Sequence, residues 1–65
     1  MAPIQRIRRP RAGLAMVDYT DGRAGILRRR YCKVALAHQV SLDRREGERG
    51  AIIWVPFGSG WRRLK

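Results

Sequence analysis

From Leu14 to Tyr19 the chain reads LAMVDY, a run of strand formers that leads into Thr20-Asp21-Gly22-Arg23. Asp-Gly between apolar runs predicts a hairpin, because both central positions of a type I′ turn take positive φ. The next strand is then expected to begin near Ala24. From Cys32 to Leu42 apolar and polar or small positions alternate over eleven residues. Cys32, Val34, Leu36, His38, Val40 and Leu42 occupy one parity, and Lys33, Ala35, Ala37, Gln39 and Ser41 the other. A period of two predicts a half-buried strand. A helix around 24–38 is the alternative, because Ile26, Leu27, Tyr31, Val34, Ala35 and His38 also fall near one helical stripe.

The segment Asp43 to Gly50 is polar, internally neutral and carries two glycines, which predicts a loop at a chain reversal. AIIWVPF then reads as a buried strand that Pro56 ends or places at an edge. Gly58-Ser59-Gly60 reads as a tight turn and Trp61 to Leu64 as a short last strand. Residues 1–12, MAPIQRIRRPRA, hold two prolines and no acid, which suits a flexible basic arm or an irregular first strand, with Ile4 and Ile7 either docked on the core or free of it. Residues 13–65 form the single small β domain. The expected fold class is all-β: a small antiparallel β-barrel or meander, SH3-like or OB-like, with a basic extended N-terminal arm. An α+β arrangement with the helix around 24–38 remains the alternative.

Composition sharpens this picture. Hydrophobic residues make up 45% of the 65, too many for a disordered basic tail, so the stretch from Leu14 to Leu64 is expected to fold. A chain this short buries only about 60% of its unfolded surface, so a bound partner or homo-oligomerisation would help it. With one cysteine, Cys32, and one histidine, His38, there is neither an intramolecular disulfide nor a zinc-ligand set. Both are expected to serve packing: Cys32 as a small buried apolar residue, His38 as a core or edge residue. No apolar run is long enough to span a bilayer, and no signal-peptide core is evident. A reducing, cytoplasmic or nucleoid-associated setting is therefore expected. Paired carboxylates, a phosphate-binding glycine loop and a nucleophile beside a base are all missing, so no catalysis and no cofactor are expected.

Charge supplies the candidate function. Fifteen Lys+Arg against five Asp+Glu give a net charge of +10, which attracts polyanions over a Debye length of about 8 Å at physiological salt. Thirteen of the fifteen are Arg, whose planar fork suits phosphates, although GC-rich coding produces the same bias. They fall in three groups: Arg6, Arg8, Arg9 and Arg11; Arg28, Arg29, Arg30 and Lys33; and Arg62, Arg63 and Lys65. Arg29, Tyr31 and Lys33 share strand parity, and an aromatic flanked by two cations suits a stacked base with its phosphates. Of the two tryptophans, Trp54 is the expected core residue and Trp61, beside Arg62 and Arg63, the expected surface one. If the middle and last strands were neighbours, Tyr31, Trp61 and these cations would form one surface with the arm beside it.

The expected function is that of a nucleic-acid-binding basic protein, for DNA or RNA, driven by phosphate contacts with weak sequence preference. The alternative is a phage or plasmid-type regulator that docks on an acidic surface of a host or viral protein. A structural part of a ribonucleoprotein is a third reading. A membrane surface is the poorest fit, since no segment joins a basic face to a clear amphipathic helix.

Overall fold

A computed structural model describes residues 7–23 and 25–64. Four strands, β1 (Leu14–Thr20), β2 (Ile26–Lys33), β3 (Gly50–Phe57) and β4 (Gly60–Arg63), form one antiparallel sheet in the order β2-β1-β3-β4. Between β2 and β3 a 3-10 turn (Val34–Leu36) leads into a six-residue helix, α1 (Ala37–Leu42). The fold is thus mostly β with one short helix, and the sheet is open rather than closed into the expected barrel. The physical reason lies in the crossover: the chain leaves β2 through α1, covers one sheet face with it, and returns as β3 beside β1. Among the described residues the outer strands β2 and β4 each pair on one side only.

β1 is the central strand, and Ala15 to Thr20 are buried on both of its faces. Ala15, Val17 and Tyr19 pack with Ile53 of β3 and Ala37 of α1, and Cys32, Val40, Ala51 and Val55 border them. Each large apolar side chain buried here contributes about 1.5–3 kcal/mol. The Tyr19 hydroxyl donates to the Val40 carbonyl, which ties α1 to the central strand. Trp54, expected in this core, projects instead from the opposite sheet face, where it is half-buried.

The alternation from Cys32 to Leu42 is not one strand. The strand ends at Lys33, and the Val34 amide donates to the Gly13 carbonyl at 2.8 Å, which turns the chain out of the sheet. Beyond it, Ala37, Val40 and Ser41 supply the covered side, an i, i+3, i+4 stripe against the sheet. The alternative helix around 24–38 is also displaced, since residues 26–33 are strand and the helix follows them. His38 consequently sits exposed on α1 and is neither a core residue nor part of a strand.

The β1/β2 hairpin forms as expected, through a longer loop than the Asp-Gly pair predicts. Only glycines take positive φ among the described residues, Gly22 at +86°, so Asp21 cannot serve a type I′ turn. Instead the Arg23 amide donates to Asp21 Oδ1 at 2.8 Å, and the Asp21 amide to the Gly25 carbonyl at 3.3 Å. The register slips by a bulge between Tyr19 and Thr20. The β3/β4 hairpin does close in two residues, with Gly58 at φ +59° and Ser59 at negative φ, the combination of a type II′ turn. Pro56 lies beyond the last β1/β3 pair, Met16 with Trp54, so its missing N–H falls where β3 has a strand on one side only.

Candidate functional site

The sheet face opposite α1 gathers the chemistry. Directly paired residues share a face, so Asp18 lies beside Arg29, Met16 beside Tyr31 and Trp54, Leu14 beside Lys33, Trp54 beside Arg63, and Pro56 beside Trp61. At its centre Asp18, 1% exposed, accepts from Arg29 Nε at 2.6 Å and Nη2 at 3.1 Å and from Trp54 Nε1 at 3.1 Å. The bond to Asp18 holds the Arg29 guanidinium above its ordinary pKa, with a smaller contribution from Tyr31. This geometry makes Arg29 a partner of the buried carboxylate rather than a free surface cation.

Tyr31 and Trp61 come from opposite edges of the sheet, yet their ring centroids lie 6.3 Å apart with planes inclined at 48°. The strands that carry them are not neighbours; the two side chains reach towards each other across β1 and β3 on the face opposite α1. The arm closes over this pair. The Arg8 amide donates to the Tyr31 hydroxyl at 3.1 Å, and Trp61 Nε1 donates to the Arg8 carbonyl at 3.1 Å. The Arg8 guanidinium rests 4.8 Å from the Tyr31 ring centre, in cation–π range. Ile7 lines a small open pocket with Met16, Ile26, Trp54 and Trp61 but stays 57% exposed, so it borders the sheet and does not enter the core. Ile4 and Arg6, with Lys65, lie outside the described residues.

On the helix side the second group of cations is met by acids. Arg28 donates from Nε and Nη2 to the two Glu48 carboxylate oxygens, both at 2.9 Å, and to the Asp43 carbonyl at 3.0 Å. Its guanidinium stacks 4.0 Å from the centre of the Tyr19 ring. Arg30 pairs with Asp43 at 2.8 Å, in a much more exposed position. The bond from Arg28, helped by the Arg45 amide, lowers the Glu48 carboxyl from 4.5 to about 2. The loop after α1, neutral in itself, therefore spends two of its acids on β2. Sequence spacing alone hides this, because the partners lie 13 and 20 residues apart.

Of the cations that remain, Arg23, Arg44, Arg45 and Arg49 are exposed in the two loops, and the others stand on the arm, at the end of β2 and on β4. Arg8, Arg9, Arg11, Lys33, Arg62 and Arg63 are exposed, and among the described residues none of them meets a carboxylate. Arg8, Arg9 and Arg11 line one shallow cleft with Leu14, and Arg11, Leu14, Lys33 and Val34 line the next. Arg63 lies on the Tyr31/Trp61 face, and Arg62 turns to the other, over the Phe57 ring at 5.4 Å. Cys32 is half-buried, and burial pushes its thiol pKa up, away from nucleophilic use. Among the described residues no cluster of His, Cys, Asp or Glu is arranged to hold a metal ion, and no helix is long and apolar enough to cross a membrane. No protein-family model, curated protein or solved structure matches the chain.

Proposed function

We propose that this protein is a nucleic-acid-binding module without catalytic activity, which grips the phosphate backbone along the arm, the end of β2 and β4. One observation carries the reading. Exposed cations without a carboxylate partner among the described residues stand on the arm, at the end of β2 and on β4, with Arg8 over the Tyr31 ring, while Arg28, Arg29 and Arg30 are occupied by Glu48, Asp18 and Asp43; Arg23, Arg44, Arg45 and Arg49, equally exposed, stand apart in the two loops. Arg8, Arg9, Arg11, Lys33, Arg62 and Arg63 are thus the contacts of first rank, and the three β2 arginines shape the surface that carries them. Use of a sheet face in this way is the binding mode of small OB-like β modules. Base-edge readers are scarce: the chain has no Asn and only Gln5 and Gln39, and Gln39 lies exposed on α1. Weak sequence preference follows. The working compartment is the cytoplasm or the nucleoid.

Salt-titrated binding to duplex DNA, single-stranded DNA and structured RNA tests the reading. If about five phosphates are neutralised, log K falls against log salt with a slope of roughly −4.5 on duplex and −3.5 on a single strand. No binding at low salt, or binding indifferent to salt, overturns it.

One further observation favours a second reading, a protein partner with an acidic surface. Leu36 and Leu42 are 45% and 69% exposed at the two ends of α1, with Arg44 just beyond. Recovery of a single acidic protein after nuclease treatment, with no affinity for any nucleic acid, would replace the first reading by the second.

A further inference from the structure

We propose that the Tyr31/Trp61 step is a stacking site for one unpaired base, so that the natural ligand is single-stranded. The proposal deepens the phosphate-binding reading and rests on it. Its first support is position: two half-buried rings from opposite sheet edges meet over the face opposite α1, 6.3 Å apart. Rings at 48° to one another leave π surface that neither covers fully, and that surface opens between the cations of the arm and Arg63. A base in a duplex has both faces covered by its neighbours and cannot present one here. An unpaired base can.

The second support is that a planar cation already sits where the base would go. The Arg8 guanidinium covers the Tyr31 ring at 4.8 Å, but its backbone is held independently, by the Tyr31 hydroxyl and the Trp61 indole. The exposed side chain can therefore swing away, or close over the incoming base as a second stacking plane, without undoing the arm. Exchange of a cation–π contact for a base stack returns the lost contact and frees the guanidinium for a phosphate. The third support lies underneath. Arg29, bonded to Asp18, holds the neighbourhood of Tyr31 in place, and Trp54 is bonded to the same carboxylate, so the platform is preorganised.

The test compares two strands of equal length and charge, a short oligothymidylate and the same phosphodiester strand without bases. Stacking of one base, worth about 1–3 kcal/mol, makes the oligothymidylate bind about 5- to 150-fold tighter, and its binding, unlike that of the abasic strand, quenches tryptophan emission. Tyr31→Leu keeps apolar cover over Met16 but removes the ring, and the ratio of the two affinities then collapses towards one. Equal affinities for the two strands in the unaltered protein overturn the stacking site while leaving the phosphate reading intact, whether or not the variant folds. A ratio that survives Tyr31→Leu also overturns it. If neither strand binds at low salt, the phosphate reading fails, and this one with it.

Discussion

At the residue scale the decisive side chain is Asp18. A carboxylate in the middle of LAMVDYT breaks an otherwise apolar strand, and burial at 1% exposure is tolerable only because Arg29 and Trp54 donate to both of its oxygens. Asp18→Asn keeps an acceptor for the indole but leaves the Arg29 guanidinium charged and 7% exposed, at a cost of about 3–5 kcal/mol. Against a total stability of about 5–15 kcal/mol for a folded domain, the variant should unfold at a far lower urea midpoint. Asp18→Asn combined with Arg29→Met should recover most of that loss, since the stranded charge is then gone. A double variant as unstable as the single would show that the pair is not what Asp18 is for. Part of this was legible beforehand: the shared parity of Arg29, Tyr31 and Lys33 reads directly from the sequence, and all three lie on one face. That Arg29 faces Asp18 was not legible, because the register depends on a five-residue loop and a bulge that an Asp-Gly pair does not announce.

At the scale of elements, β1, β3 and β4 were legible, while the end of β2 at Lys33 and the helix after it were not. β1, β3 and β4 follow their apolar runs and turn residues, but α1 has no side-chain cap, no acid in its first turn and only six residues. Such a helix is marginal on its own, and packing of Ala37, Val40 and Ser41 under the Tyr19 hydroxyl holds it in place. Periodicity over so short a span fits a strand equally well, and tertiary contact decides. The loop after α1 acts with it as a clip, since Glu48 takes the Arg28 fork and Asp43 takes Arg30. The Glu48 carboxyl titrates lower folded than unfolded, about 2 against 4.5. A depressed carboxyl contributes stability that is fully present above the unfolded value and is lost as pH falls through the folded one. Urea midpoints should therefore hold above pH 5 and decline between about 4.5 and 2, and Glu48→Gln should be less stable near neutrality with a shallower acid decline. The same acid slope in Glu48→Gln would assign the decline to other carboxylates.

For the whole molecule, the question is whether +10 acts as a total or as a site. Sequence divides the basic residues into three groups and gives them similar standing; the fold does not, because the middle group is largely met by Asp18, Asp43 and Glu48. Long-range pairing of this kind depends on which way the loop after α1 folds back, which no local pattern encodes. Three matched pairs of substitutions separate the possibilities, since each removes two positive charges. Arg9→Gln with Arg11→Gln takes two exposed cations from the arm cleft, and the slope of log K against log salt on duplex DNA should become shallower by about 1.8. Arg44→Gln with Arg45→Gln removes the same charge from the loop, on the helix side, and should leave that slope near its original value. Arg28→Gln with Arg30→Gln should show itself in stability first, because Glu48 loses its bidentate partner and its charge is left 5% exposed. Calorimetric melting read beside the binding isotherms distinguishes a lost contact from a lost fold. Equal changes in slope from all three pairs, with melting unchanged, would mean that the protein attracts polyanions by its field alone. A loss confined to Arg9 and Arg11 would place the binding where the arm meets the aromatic step.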